Sequence, residues 1–158
     1  MKKNIVFLAP SNGTKPTIVL KNLLNNKYFT KKYSYKFIIS SNTGQLYNLL
    51  KNNHIDFTIC SNKANQLESL KKLKLNRIDY IIACGLSYKV PDKIIKLAKI
   101  AALNCHSSYL PDYKGSSVYR VQWANLENFG GATVHLMTDK FDSGKIITQE
   151  RFRISLKD

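Results

Sequence analysis

Three polar residues in the second half of the sequence have the side-chain types that acyl transfer requires, namely Asn104, His106 and Asp142. An amide N–H can donate a hydrogen bond to an oxygen that becomes negatively charged, and preorganised donors of this kind lower barriers by roughly 3–4 kcal/mol. An imidazole, with a reference pKa of about 6.5, can carry a proton or stabilise that oxygen when charged. A carboxylate can orient the imidazole or hold a water molecule. The three residues suit acyl transfer between nitrogens without a covalent enzyme intermediate.

The spacing of these residues sets their predicted geometry. Asn104 and His106 alternate at the end of a predicted strand, so their side chains share one face. Cys105 lies between them and is predicted to point to the other face, as a structural thiol rather than a nucleophile. Asp142 lies in a predicted loop after a later strand. Spacing alone is explained better by a loop-end asparagine and a buried core histidine than by a catalytic pair.

Other kinds of catalysis have weaker support in the sequence. The histidines at 54, 106 and 135 are far apart and form no ligand-spaced pair, so no metal site is predicted. The three cysteines are an odd number without paired spacing, which is typical of buried thiols in a reducing compartment. Covalent cysteine catalysis and metal catalysis therefore rank below general acid–base chemistry.

Short apolar runs alternate with helical patterns along most of the chain. Strands are predicted over 5–9, 35–40, 56–60, 78–84 and 100–104. A first helix is predicted to begin at Pro16, and its apolar face consists of Ile18, Leu20, Leu23 and Leu24. Further helices are predicted over 43–51, 64–75 and 91–98. This order predicts an α/β fold with a mostly parallel sheet and helices on both faces. A loop over 106–115, a helix over 118–127 and strands over 132–137 and 145–152 follow. Because no crossover helix separates the last two strands, they are predicted to pair antiparallel.

Ligands of open α/β sheets collect beyond the carboxyl ends of the strands. Three polar clusters fall at such ends: 11–14, 84–87 and 104–106. The first consists of Ser11, Asn12, Gly13 and Thr14, where a loop opens a helix and offers N–H groups to an anion. An ordinary turn with a helix cap explains the same residues equally well.

Two motifs in the second half carry a family resemblance. The first consists of Asn104, His106, Ser108, Leu110, Pro111, Tyr113 and Gly115, and the second of Gly131, Thr133, His135, Asp142, Gly144, Ile146 and Ile147. In this order and separation they resemble the catalytic domain of 10-formyltetrahydrofolate-dependent formyltransferases, which act on glycinamide ribonucleotide, methionyl-tRNA or amino sugars. The resemblance implies a Rossmann-like sheet, 10-formyltetrahydrofolate as co-substrate, and Asn104, His106 and Asp142 as the catalytic residues.

The resemblance also implies binding segments. The folate would lie against Leu86, Ser87, Tyr88, Lys89 and Val90, and against Thr138, Asp139, Lys140 and Phe141 before the catalytic Asp. The cluster from Ser11 to Thr14 resembles the loop that holds the substrate phosphate in the purine-pathway members. Two departures bear on the acceptor: Ser11 replaces a glycine, and an expected basic residue is displaced to Lys89.

The resemblance leaves the acceptor open. Glycinamide ribonucleotide is the first candidate for the acceptor, which would place the chain in purine biosynthesis. An amino-sugar nucleotide or methionyl-tRNA follows, because the Gln122–Trp123 pair is similar to those branches. A 10-formyltetrahydrofolate deformylase, which uses water as the acceptor, and an inactive folate- or nucleotide-binding module are further alternatives.

The net charge and the length of the chain indicate which kinds of partner it can have. The net charge of +15, from 25 basic and 10 acidic residues, favours an anionic small-molecule acceptor, while the lysines are too spread out to predict a dedicated nucleic-acid face. No signal peptide and no apolar run of about 18 residues is present, so a cytoplasmic protein without membrane contact is predicted. Family members continue into a further helix. The chain is thus predicted to be one catalytic domain over 1–158, short at its carboxyl terminus, with a homodimer or another partner as ways of completing it.

Overall fold

The computed structural model describes residues 2–154 of the chain, which divides into two compact units, residues 1–102 and 103–158. The first unit contains the strands β1 (Lys3–Ala9), β2 (Tyr33–Ile39), β3 (Phe57–Ile59) and β4 (Tyr80–Cys84). Its helices are α1 (Thr14–Asn25), α2 (Lys27–Lys32), α3 (Gln45–Asn52), α4 (Gln66–Lys72) and α5 (Asp92–Ile95), with a 3₁₀ turn over Lys63–Asn65. The strand β5 (Ala101–His106) spans the boundary, and the second unit continues with α6 (Val118–Ala124), β6 (Phe129–Leu136) and β7 (Ile146–Arg153).

The strands of the first unit are parallel, in the order β3-β2-β1-β4. Five consecutive residues of β1, from Ile5 to Ala9, are buried, as expected for a strand that is covered on both faces. On one face Phe7 stacks on Phe37 with ring centroids 4.8 Å apart, and the core there includes Leu20 of α1. On the other face Lys36 Nζ donates to the Leu73 carbonyl at the end of α4. Helices therefore cover both faces, as predicted.

The strands of the second unit are antiparallel: β5 pairs with β6, and β6 pairs with β7. The predicted antiparallel pairing of the last two strands is confirmed. Among the described residues, no helix has the length and apolar character to cross a membrane.

Several predicted boundaries were wrong. His106 ends β5 rather than beginning the loop, because its backbone pairs with Thr133 of β6. Ile18 is 53% exposed, because α1 buries Pro16, Thr17 and Leu20 instead. Helix α5 covers only Asp92–Ile95 of the predicted 91–98. Helix α2 was not predicted; its first turn is capped by the Asn26 side chain, which accepts from the Phe29 N–H.

Candidate active site

The register between β5 and β6 brings the first polar side chains together. Asn104 lies opposite His135, and His106 lies opposite Thr133. Residues directly opposite in an antiparallel pair share a face, and side chains two residues apart do so as well. The four side chains therefore form one patch, in which His106, Thr133 and His135 are all buried. Cys105 pairs with Val134 and belongs to the opposite face, as predicted.

Asp142 reaches this patch from the loop between β6 and β7. Its Oδ1 accepts a hydrogen bond from Asn104 Nδ2 at 3.1 Å and lies 3.2 Å from His135 Nε2. Its Oδ2 accepts from the Gly115 N–H at 2.8 Å and lies 3.5 Å from His106 Nδ1. One buried carboxylate thus contacts four groups, three of which are side chains. The three residues predicted to be catalytic lie within one contact network.

Backbone geometry holds Asp142 in this position. The backbone of Asp142 adopts the left-handed conformation, with φ of 45°. This conformation costs of order 1–3 kcal/mol in a non-glycine residue and persists where surrounding contacts require it. Gly144 follows, and a Cβ on that residue would lie 1.8 Å from the Leu136 carbonyl oxygen. The Leu136 N–H donates to the Lys145 carbonyl at 2.9 Å, which closes the loop. Only glycine at 144 allows this close approach.

The loop after β5 fixes the other side of the network. The Tyr113 carbonyl lies 2.8 Å from His106 Nε2, and the Tyr113 hydroxyl donates to Glu127. Ser108 Oγ donates to the Asp112 carbonyl at 2.6 Å, and Thr133 Oγ1 donates to the Ser108 carbonyl at 2.7 Å. These bonds tie the loop to itself and to β6, so the Tyr113 carbonyl and the Gly115 N–H are held at fixed positions.

The hydrogen-bond partners determine which nitrogens carry protons. A carbonyl oxygen only accepts, so His106 is protonated at Nε2, towards Tyr113. For the same reason His135 is protonated at Nδ1, whose partner is the Leu136 carbonyl at 2.8 Å. The second nitrogen of each imidazole faces Asp142. A second proton on either ring therefore lies beside the carboxylate.

Burial and charge act in opposite directions on the pKa of each group. Burial lowers the pKa of His135, but the hydrogen bonds to Asp142 and to the Leu136 carbonyl raise it by more than burial lowers it. The pKa of His135 therefore lies above the usual value. Burial raises the pKa of Asp142, but the hydrogen bonds from His135 and Gly115 and the charge of His106 outweigh this, so the net pKa lies below the usual value. Near neutral pH the carboxylate is ionised, and the His135 ring is protonated more readily than a free imidazole.

The protonation of His135 affects what Asn104 can do. The Asn104 amide has two hydrogens, of which one is donated to Asp142. His135 Nε2 lies 3.2 Å from Asn104 Nδ2 and can accept the other hydrogen only while this ring nitrogen is unprotonated. Once His135 is charged, the second Asn104 N–H becomes a donor for another oxygen. The site can then stabilise a developing oxyanion beside two imidazoles and a carboxylate.

The segments predicted to bind folate lie in different units, each with its own surroundings. Residues 86–90 connect β4 to α5; Val90 is buried, and the Tyr88 hydroxyl accepts from Gln66 Nε2 at 2.5 Å. Ser87 and Lys89 are exposed, and Leu86 is half-buried. The segment 138–141 immediately precedes Asp142; Thr138 Oγ1 accepts from the Lys140 N–H at 3.3 Å, and Phe141 is 56% exposed. Folate contact by Leu86, Ser87, Tyr88, Lys89, Val90, Thr138, Asp139, Lys140 and Phe141 stays a prediction.

The loop predicted to bind the acceptor follows β1. Ser11 is buried, and its Oγ lies 2.6 Å from Ser41 Oγ and 3.1 Å from Ser40 Oγ. Its side chain is therefore used within the fold, which favours a structural role for Ser11. Asn12 and Thr14 are exposed and Gly13 is half-buried at the amino end of α1. Anion binding by these three residues stays a prediction.

Sequence reasoning did not assign a role to three groups of the network: the His135 ring, the Tyr113 carbonyl and the Gly115 N–H. The signal for His135 was present, because Thr133 and His135 alternate on a strand that was predicted next to a loop carrying acids. The two backbone groups carry no side-chain signal. Among residues 2–154, no group of three or more His, Cys, Asp and Glu side chains is arranged to hold a metal ion.

Comparison with known proteins places this chain in a family. The family model described as "Formyl transferase" matches residues 3–158. A methionyl-tRNA formyltransferase from Limosilactobacillus fermentum is 36% identical over 80 residues, which are 51% of this chain and 25% of the relative. One from Staphylococcus aureus is 30% identical over 96 residues, which are 61% of this chain and 31% of the relative. The matched segments are thus a third or less of these relatives.

Solved structures share the fold over nearly the whole chain. Phosphoribosylglycinamide formyltransferase from Bacillus halodurans has a TM-score of 0.82 at 19% identity, covering 99% of this chain and 82% of that one. Glycinamide ribonucleotide transformylase 1 from Geobacillus kaustophilus has a TM-score of 0.83 at 18% identity, with 100% and 86% covered. A formyltetrahydrofolate deformylase from Pseudomonas syringae has a TM-score of 0.79 at 20% identity, with 100% and 53% covered. The family resemblance and the Rossmann-like α/β fold that the sequence predicts are confirmed, and the chain belongs to the formyl transferase family.

Proposed function

We propose that this chain transfers a formyl group from 10-formyltetrahydrofolate to a primary amine, with Asn104, His106 and Asp142 as the catalytic residues. The observation that carries the proposal is the single Asp142 carboxylate in contact with Asn104, His106, His135 and the Gly115 N–H. A preorganised amide donor, two imidazoles and a carboxylate supply what formyl transfer needs. Membership of the formyl transferase family supports the same chemistry.

In the proposed reaction the neutral amine attacks the formyl carbon. A new C–N bond forms and the formyl oxygen becomes an oxyanion, which accepts a hydrogen bond from the second Asn104 N–H. The proton lost by the amine passes, through His106 or a water held by Asp142, to N10 of the folate. The bond between N10 and the formyl carbon then breaks, which gives tetrahydrofolate and the N-formyl product. No bond to the protein forms at any step.

The folate is proposed to contact the segments 86–90 and 138–141. Segment 138–141 leads directly into Asp142, so folate bound there would lie within a few residues of the reacting groups. The exposed Phe141 offers an apolar surface, and the backbone groups of segment 138–141 can hydrogen-bond to the polar edge of the pterin.

Glycinamide ribonucleotide is the acceptor that we propose first. Support comes from the phosphoribosylglycinamide formyltransferase structures that share the fold. The exposed amino end of the twelve-residue α1, at Asn12, Gly13 and Thr14, suits the phosphate of such a substrate. Ser11 is not included as a side-chain ligand, because its hydroxyl bonds to Ser40 and Ser41.

Methionyl-tRNA is the second acceptor, for a different reason. The two relatives described above, which are 36% and 30% identical over their matched segments, are methionyl-tRNA formyltransferases. Trp123 on α6 is 66% exposed and is a candidate contact for such an acceptor. An amino-sugar nucleotide, or water as in a deformylase, would use the same catalytic residues.

The proposal is tested by following the conversion of 10-formyltetrahydrofolate to tetrahydrofolate by absorbance. Purified protein is supplied with glycinamide ribonucleotide, an amino-sugar nucleotide, methionyl-tRNA or no acceptor. Conversion that depends on one acceptor identifies it, and conversion without any acceptor establishes a deformylase. Folate binding without conversion in any reaction would overturn the enzyme proposal in favour of an inactive binding module. Sedimentation of the same sample measures whether the chain forms the predicted homodimer.

A further inference from the structure

Charge is distributed unevenly along this chain. The first 55 residues contain nine lysines and no aspartate or glutamate, whereas residues 56–158 contain all ten acidic residues and the other 16 basic ones. The lysines of this segment are spread out in sequence. The fold of the first unit nevertheless collects several of them at one edge of the sheet.

That edge is formed by the amino ends of parallel strands. β1 begins at Lys3, and α2 ends at Lys32, directly before β2. Lys99 lies beside the amino end of β4, because its N–H donates to the Ile78 carbonyl at 3.0 Å. Neighbouring strands are about 4.8 Å apart, so these cations follow one another along the edge. The exposed members are Lys2, Lys3, Lys31, Lys32 and Lys99, and we call them the amino-edge stripe.

Tyrosine rings lie between the lysines of the stripe. Lys3 Nζ lies 5.9 Å from the centre of the Tyr80 ring. Lys32 Nζ lies 4.9 Å from that of Tyr28 and 5.8 Å from that of Tyr33. Tyr28 is 65% exposed. The edge thus presents positive charge together with aromatic surface.

Acidic residues near this edge are already paired. Asp79 precedes β4, is buried, and is bonded to Arg77 at 2.6 Å and to the Asn4 N–H at 2.8 Å. Asp56 precedes β3 and is paired with Lys36 at 2.9 Å. In the described part of the chain, neither carboxylate forms a close ion pair with a stripe lysine, although the pKa of Asp79 is lowered by the hydrogen bond from the Asn4 N–H and, in part, by the positive charge of Lys3.

We propose that the amino-edge stripe binds the sugar–phosphate backbone of single-stranded RNA, independently of sequence. Spaced lysines neutralise successive phosphates, and the exposed Tyr28 ring offers a stacking surface to an unpaired base. An anionic membrane is a poorer fit, because α2 is six residues long and residues 27–33 contain no Ile, Leu or Val for insertion. Within the first unit, the stripe lies at the amino end of β1, whereas the loop proposed to bind the acceptor follows its carboxyl end. The proposal therefore goes beyond formyl transfer.

The test measures fluorescence anisotropy of a labelled oligouridylate with the full chain across a range of salt concentrations. The stripe variant replaces Lys2, Lys3, Lys31 and Lys32 by Gln. The control variant replaces the same number of exposed lysines elsewhere in the first unit, namely Lys71, Lys72, Lys93 and Lys96, by Gln. We expect the stripe variant to bind at least about tenfold more weakly, with a salt slope lower by roughly 3, and the control variant to stay within about twofold of wild type.

Equal weakening of both variants would overturn the proposal, since it would mean that total charge alone attracts RNA. Absence of wild-type RNA binding, or binding to phosphatidylserine vesicles without RNA binding, would overturn it as well. If the quadruple variant unfolds, the single substitution Lys99→Gln still tests the proposal, because Lys99 lies outside α2. We expect Lys99→Gln to bind the oligouridylate about threefold more weakly than wild type. Formyl transfer by the stripe variant should equal that of wild type, so failure here is distinguishable from failure of the enzyme proposal.

Discussion

Each compact unit contains a polar cluster that follows its strands and centres on one buried side chain. In the first unit the Ser11 hydroxyl lies 2.6 Å and 3.1 Å from two other serine hydroxyls. In the second unit the Asp142 carboxylate contacts an amide, two imidazoles and a backbone N–H. The hydroxyl cluster is neutral, and each member can donate and accept. The carboxylate cluster keeps titratable groups away from water, which costs desolvation energy.

Backbone strain differs in the same way. Left-handed non-glycine residues in the first unit, His54 and Lys74, follow the ends of α3 and α4, where such conformations commonly end helices. In the second unit Ser117 and Leu126 likewise flank helix α6, but Tyr113 and Asp142 adopt left-handed backbone conformations within loops, and both contact the histidines of the network. The first cluster is a stable connection between elements, whereas the second has the charge and strain that are typical of a functional site.

The largest expected effect comes from removing the charge of Asp142. In Asp142→Asn, the side chain is neutral and no longer favours a charged His135, so kcat should fall by about 10³-fold. The measurement is folate conversion with the best acceptor. Glu150→Gln, which neutralises an exposed acid on β7, is the matched control. A rate near that of wild type would remove Asp142 from the mechanism.

Replacement of His106 should have the next largest effect. His106→Ala removes the proposed proton carrier but leaves the Asn104–Asp142 bond, so kcat should fall by about 10²-fold while folate affinity is retained. Equilibrium folate binding and turnover are measured on the same sample, with the exposed His54→Ala as control. Retained turnover would refute the proposed role of His106.

The coupling between His135 and Asp142 predicts a pH dependence of stability. The folded pKa of His135 is raised, so its contribution is fully present below the unfolded value of about 6.5 and is lost as pH rises through the folded pKa. The folded pKa of Asp142 is lowered, so its contribution is present above the unfolded value of about 3.9 and is lost as pH falls through the folded pKa. Their joint contribution is therefore largest between these two unfolded values.

Urea unfolding at a series of pH values measures this effect. The free energy of unfolding of the wild type, relative to His135→Gln, should decrease as the pH is raised above about 6.5. A difference that does not change across this range would show that the His135–Asp142 pair is not coupled as the geometry indicates.

The smallest effect is expected for the hydroxyl cluster. Ser41→Ala removes the partner that lies 2.6 Å from Ser11 Oγ, which should lower the free energy of unfolding by about 1 kcal/mol. Because this cluster has no proposed part in the chemistry, kcat should not change. A large loss of kcat with unchanged stability would mean that the two clusters do not differ in the way described above.

Much of the fold and part of the site followed from local patterns. The alternation of short apolar runs with helical segments predicted the parallel strands of the first unit, because burial on both faces requires such runs. Alternation also predicted that Asn104 and His106 share a face and that Cys105 does not. These features depend on backbone periodicity and on neighbours within a few residues.

Tertiary contacts decided the rest. Asp142 contacts Asn104, which lies 38 residues earlier in the sequence, because the chain reverses direction after β6 in a loop that packs closely. Gly144 allows this close packing. His135 enters the network through the register of β5 and β6, and the Tyr113 carbonyl enters through a loop whose backbone leaves no signal in side-chain types. The amino-edge stripe exists because parallel strands align lysines that are up to about a hundred residues apart. Sterics and periodicity act over a few residues, whereas such contacts depend on strand register and loop closure.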